Sequence, residues 1–187
     1  HGTLGLDTAT CALSGAGLLL LITFTRNEGM IAKVLSKVEW LAIFFFAGLF
    51  VLVGALVETG VIKMLAAEAI QITNGSVNAT AMLILWMSAI ASAFIDNIPF
   101  VATLIPLIKD MGQMGLTNLD PMWWSLALGA CLGGNGTLIG ASANVVVASM
   151  AAQRGKQISF LGFMKVAFPV MILTIIISSA YVWLRYL

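Results

Sequence analysis

Apolar residues run along this chain in long blocks divided by short polar interruptions. The blocks cover roughly 6–25, 40–58, 79–108, 122–151 and 164–186. A helix crosses a bilayer with about 20 mostly apolar residues, so these blocks have the length of membrane spans. Two segments between them are periodic instead. In 28–38, Met30, Ile31, Val34, Leu35 and Val38 share a helical face, with Lys33, Ser36 and Lys37 opposite. In 59–72, Val61, Ile62, Leu65, Ala69 and Ile70 oppose Lys63, Glu68 and Gln71. Both patterns predict amphipathic helices lying in the membrane interface. The run TNGSVNAT (73–80) predicts a loop. Its glycosylation-type matches at Asn74 and Asn78 carry meaning only in a secretory pathway.

Two blocks are interrupted in a way that simple spans are not. The block 79–108 is too long for one upright helix and is broken by SAFIDNIPF (92–100). Asp96 and Asn97 are helix-capping types, and Pro99 suits a first turn but not a helix interior. This predicts helix, turn, helix: a re-entrant hairpin with its tip at Asp96–Ile98. The block 122–151 is broken by LGGNGTLIGASANVV (132–146). Gly133, Gly134, Gly136 and Gly140, with Asn135, Thr137, Ser142 and Asn144, cannot form a lipid-facing helix. Unwound backbone at membrane depth survives only where protein buries it or a wet cavity bathes it.

Composition turns these blocks into a class. Hydrophobic residues make up 60% of the 187 and charged residues 9%, and the mean hydropathy is +1.04. A soluble domain of this size cannot hide so much apolar surface, so the reading is an all-α polytopic membrane protein. The net charge of +1 excludes the basic stripe that a nucleic-acid partner needs. Cys11 and Cys131 both lie in apolar runs and suggest no disulfide. The chain opens on HGTLGL, neither a basic leader nor a signal-peptide core. Residues 1–6 are therefore expected to be the tail of an earlier span of something longer.

Charge also tests the hairpin. If 79–108 returns to its own side, Arg26, Lys33, Lys37, Arg154, Lys156 and Lys165 share one face against Lys63, Lys109 and Arg185. If it crosses, the split is nearly even. The positive-inside rule prefers the return, with 26–38 cytoplasmic and the hairpin entering from outside. Trp40, Trp123, Trp124, Tyr181, Trp183 and Tyr186 fall near the predicted interfaces, as an aromatic belt does.

Asp96 is the sharpest chemical signal, the only acidic residue between Glu68 and Asp110. An ionisable group at membrane depth marks an ion or proton path by default. Asp96 is also a plain N-cap, and the two roles are compatible. Asn97, Asn135, Thr137, Ser142 and Asn144 offer neutral oxygens beside unwound carbonyls, a set that suits a hard monovalent cation. Helix N-termini facing the same break suit an anion. Glu58, at the end of its span, reads as an interfacial residue, and Lys165 as one that snorkels, with Pro169 kinking its helix. No metal site beyond a possible Na⁺ is expected, since the single histidine is terminal. An intramembrane serine protease lacks its histidine here, and an aspartyl protease lacks a second deep carboxylate. A passive channel stays open as an alternative, because broken helices also build filters.

The residues carry a resemblance. EWLAIFFFAGLFVLVGALVETG (39–60), SAFIDNIPFVATLIPLI (92–108), LGGNGTLIGASANVVVA (132–148) and FMKVAFPVMI (163–172) resemble the arsenite permease and sodium–proton antiporter family. That family lies within an ion transporter superfamily that includes citrate carriers, sodium–dicarboxylate symporters and the melanosomal P protein. The resemblance implies two inverted repeats, each with a re-entrant hairpin followed by a broken helix, and a substrate between them. This chain would then be the C-terminal repeat: a single transmembrane domain over 1–187, hairpin about 79–109, broken helix about 122–151, missing an N-terminal repeat. It also implies a homodimer, a multi-pass place in the cytoplasmic membrane, no catalysis, and no cofactor beyond a coupling H⁺ or Na⁺. Site roles carry over to Asp96, Asn97, Asn135, Thr137, Ser142 and Asn144.

One departure has chemical content. The dicarboxylate branch places Ser-Asn-Thr at the hairpin tip, where this chain reads Asp96-Asn97-Ile98. Its Pro-Pro-Asn element becomes Ser142-Ala143-Asn144. A carboxylate at the tip repels a dicarboxylate unless it is protonated or paired with a cation. The expectation is therefore transport of an inorganic ion or small oxyacid, by Na⁺/H⁺ exchange or arsenite efflux. A citrate-like symporter of the same superfamily is the alternative.

Overall fold

The computed structural model describes residues 7–24, 28–38 and 40–187. Residues 1–6 and Arg26, which the readings above used, lie outside the described residues, as do the side chains of Met30 and Ile31. The described regular structure is helical throughout: α1 Thr8–Phe24, α2 Glu28–Leu35, α3 Trp40–Glu58, α4 Val61–Ile72, α5 Val77–Ser92, α6 Asn97–Gln113, α7 Asp120–Gly133, α8 Ser142–Gln153 and α9 Phe160–Tyr186. The chain divides into two compact units, one up to Phe45 and one from Phe46.

In the first unit, Asp7 starts α1 by accepting a hydrogen bond from the Thr10 N–H at 2.9 Å. Leu13, Leu18, Leu19, Leu21 and Ile22 are all exposed along it. A helix this apolar on its outer surface belongs in lipid or protein, not water. Val34 and Leu35 of α2, with Val38, share a groove with Leu19 and Leu20 of α1.

The second unit carries the features that matter for function. α3 and α4 meet at a 66° bend, where Gly60 takes φ +75, a left-handed conformation that costs other residues energy. Ile62 and Ala66 are the buried positions of α4. Leu65, expected on that face, is exposed, because the buried stripe runs 62–66 and onward through the half-buried Ala69 and Ile70. The turn after α4 is shorter than the expected 73–80 loop. α5 begins at Val77, capped by Ser76, whose hydroxyl accepts from the Ala79 N–H. The Thr73 and Thr80 hydroxyls bond each other at 2.7 Å, which lets the polar run fold straight into helix.

Two apolar cores follow. Ile62, Ile108, Met111, Met122 and Leu126 join α4, α6 and α7, while Leu85, Ala89, Ala93, Met171 and Ile175 join α5 and α9. Between them α5 and α7 run side by side in parallel, whereas α9 runs against both. The stacking of Trp124 on Tyr186, 5.4 Å between centroids, ties the start of α7 to the end of α9. The Trp86 indole N–H donates to the Ser179 hydroxyl at 3.1 Å. α9 has 27 residues and begins four positions before the expected 164, with the Ser159 hydroxyl accepting from the Gly162 N–H at 3.1 Å. Among the described residues it is the one helix long and apolar enough to cross a bilayer alone; α3 and α4 together pass the same test as a bent pair. The described residues form an all-α bundle with one bent helix pair, α3 and α4, as a membrane-transporter-like fold has, and composition and exposed apolar faces make the chain a membrane protein.

Candidate ion and substrate site

Parallel packing of α5 on α7 is possible only because α7 carries glycine where the helices touch. A Cβ on Gly129 would lie 2.4 Å from the Leu85 carbonyl oxygen, and one on Gly133 would lie 2.3 Å from that of Ala89. One turn further the register continues, with the buried Thr137 hydroxyl donating to the Ala93 carbonyl. The three pairs share one separation of 44 residues, so the two helices advance together. A parallel α5 and α7 require α6 to carry the chain back, so the backbone reverses at 93–96.

Both helices end at the same place. The Ser92 hydroxyl donates to the Ala130 carbonyl at 2.6 Å. Gly140 fits among three carbonyls: a Cβ there would meet the oxygens of Gly134, Ala93 and Ser92 at 2.7, 2.8 and 2.9 Å. Its N–H donates to the Thr137 hydroxyl at 3.2 Å. The Asn144 amide spans the break from the far side, donating to the Gly134 and Thr137 carbonyls at 3.0 Å each. The break itself occupies 134–141, shorter than the expected 132–146, since α7 extends through Gly133 and α8 starts at Ser142.

The expected site residues fall into two groups. Thr137, Asn144, Gly133, Gly134, Gly136 and Gly140 come together at the junction. There the Thr137 hydroxyl and the Asn144 amide N–H₂ are occupied in holding backbone. Asp96 and Asn97 are half-buried, whereas Asn135 and Ser142 are exposed. The Asp96 carboxylate accepts from the Ile98 N–H at 3.1 Å, capping α6. Among the described residues no hydrogen bond ties Asp96 or Asn97 to the glycine segment. Asn97 instead lines a groove of about 790 Å³ between α3 and α6, whose other polar side chain is Glu58.

Sequence reasoning gave Ser92 no role and read Glu58 only as an interfacial residue. Ser92 acquires a role only through its bond across 38 positions. Glu58 shares a cavity with Asn97 because α3 lies along α6, which its own neighbours do not reveal.

The family model described as citrate transporter matches residues 3–129. The chain belongs to the citrate transporter family. A relative described as an uncharacterized transporter in Mycobacterium tuberculosis is 47% identical over all of this chain and 43% of its own length. The 46 kDa membrane protein of Mycobacterium leprae is 40% identical over the same shares. The human P protein is 40% identical over 94% of this chain and 22% of itself. This citrate transporter family member thus spans less than half the length of the relatives it matches. No solved structure matches it. The match is to a transporter family, and it rests at the citrate-transporter level, coarser than the arsenite and sodium–proton branches expected from the motifs.

Proposed function

We propose that this chain supplies one half of the site of a secondary transporter that carries a small carboxylate anion, with citrate as the type, across the cytoplasmic membrane together with H⁺ or Na⁺. The observation that carries the reading is the meeting of four helix ends at one pinned junction. α5 and α7 end there, and α6 and α8 begin just beyond. Helix C-termini favour a cation and N-termini an anion. The carbonyls of Ser92, Ala93 and Gly134 already crowd the C-terminal side. Among the described residues the α8 N-terminus has no side-chain cap and no acidic residue in its first turn. Asp96 caps α6 and would repel a bound anion unless a proton or Na⁺ neutralises it. Cation coupling is then a condition of anion transport. Asn97, Asn135 and Ser142 supply side-chain oxygens and amides at the rim, while Thr137 and Asn144 hold the frame. An inverted repeat completes the site, two copies form a dimer, and alternating access moves one body against the other.

The rival exchange of Na⁺ for H⁺, or arsenite efflux, draws on one observation. Asp96 is an acid with no Lys or Arg between Lys63 and Lys109 to offset it. Vesicles of the full-length protein decide between them. Under an inward H⁺ or Na⁺ gradient, labelled citrate should accumulate, and Asp96→Asn should abolish the dependence on the gradient. Absence of uptake, with Na⁺ or Li⁺ releasing protons from acidified vesicles, would transfer the assignment to exchange. Gradient dependence that survives in Asp96→Asn would leave Asp96 a helix cap.

A further inference from the structure

A second cleft, of about 400 Å³, opens beside the hairpin turn and is lined by Phe94, Met164, Lys165, Phe168 and Pro169. Its walls are apolar except for Lys165, which is exposed in the second turn of α9. Pro169 adds a second polar feature, because it has no N–H to offer the Lys165 carbonyl one turn earlier. Residues four apart share a helix face. A lysine and a carbonyl that lacks its usual donor one turn on therefore belong to the same edge of an apolar slot. Arg154 and Lys156, both exposed, precede α9 in the connection from α8 and add positive charge at the same end of the helix.

We propose that this cleft binds one anionic phospholipid with a glycerol-type headgroup. Its acyl chain lies along Phe94, Met164 and Phe168, its phosphate meets Lys165, and a headgroup hydroxyl donates to the Lys165 carbonyl. The chemistry selects this occupant. A soluble phosphate or a carboxylate substrate would leave the apolar walls unfilled and would find a single cation. A zwitterionic lipid would bring its own ammonium against Lys165. Basic clefts at a membrane face attract anionic headgroups, at about 1 kcal/mol per lysine or arginine, roughly a fivefold change in affinity. The bound chain presses on Phe94, adjacent to Ala93, whose carbonyl receives the Thr137 hydroxyl. Bilayer composition thereby acts on the junction of the two breaks, independently of which solute is carried.

The test uses the full-length protein in mixed micelles with a phosphatidylglycerol bearing a photoactivatable group in its acyl chain, the phosphatidylcholine analogue alongside. Cross-links mapped by peptide mass spectrometry should fall at Phe94 and within 164–168 for the anionic probe. Lys165→Gln should lower their yield about fivefold, and Lys165→Arg should retain it. Melting temperatures of the variants confirm that each is folded before labelling. Equal labelling by the zwitterionic probe, or undiminished labelling of folded Lys165→Gln, overturns the proposal. Displacement of the probe by water-soluble glycerol phosphate alone would overturn it in favour of a soluble phosphate.

Discussion

Gly129 and Gly133 hold α7 against the backbone of α5 at a distance that admits no side chain. Gly133→Ala should therefore force the helices apart and lower stability by about 1–3 kcal/mol, the usual cost of overpacking. Gly48→Ala is the control, because nothing lies within 4 Å of its Cβ position and alanine is the better helix former. Thermal unfolding in detergent separates the two: equal melting of both variants would refute the close contact. Thr137→Val leaves the buried Ala93 carbonyl without its donor and the Gly140 N–H with only the longer bond to the Thr137 carbonyl, a loss of about 1–3 kcal/mol that Thr137→Ser should largely restore. Asp96→Asn keeps a good N-cap and should melt within a few tenths of a kcal/mol of the parent. Any change in gradient-driven uptake in that variant then belongs to the charge and not to the fold.

At the scale of elements, the parallel course of α5 and α7 is the feature with the widest consequences. It makes the connections before α5 and after α6 emerge on the same side, while the connection between α8 and α9 lies opposite. Single cysteines at Asn74 and Asn118, in a background lacking Cys11 and Cys131, should react with an impermeant maleimide from one side of the membrane. A cysteine at Arg154 should react from the other. Labelling of Asn74→Cys and Asn118→Cys from opposite sides would mean that α5 and α6 cross as one span. The helix, turn and helix of α5 and α6 were legible in the sequence because their signals are local. Asp96 and Ser92 stand at adjacent helix ends, Pro99 lies in the first turn of α6, and the glycines of 134–140 lie where the helix breaks. The 73–80 loop was misjudged because a polar run also caps: the hydroxyls of Ser76, Thr73 and Thr80 bond helix ends and one another.

Across the whole molecule, the second unit holds both apolar cores and the junction, all within residues 46–187. A variant beginning at Val38 should keep a cooperative melting transition in detergent, because none of those buried contacts is removed. Loss of that transition would show that the first unit holds up the second. The sequence by itself determined the membrane class, the approximate positions of the helices, the two backbone breaks and the cap that starts α6. Each of these follows from hydrophobicity, glycine and proline geometry, or a side chain reaching two or three residues along. It also carried the superfamily. Only the tertiary structure decided which break meets which, that Ser92 and Thr137 fasten them, that Glu58 faces the groove of Asn97, and that Lys165 stands beside Phe94. Those pairings join residues about forty or more positions apart, where no local propensity acts and the partner is chosen by how whole helices pack.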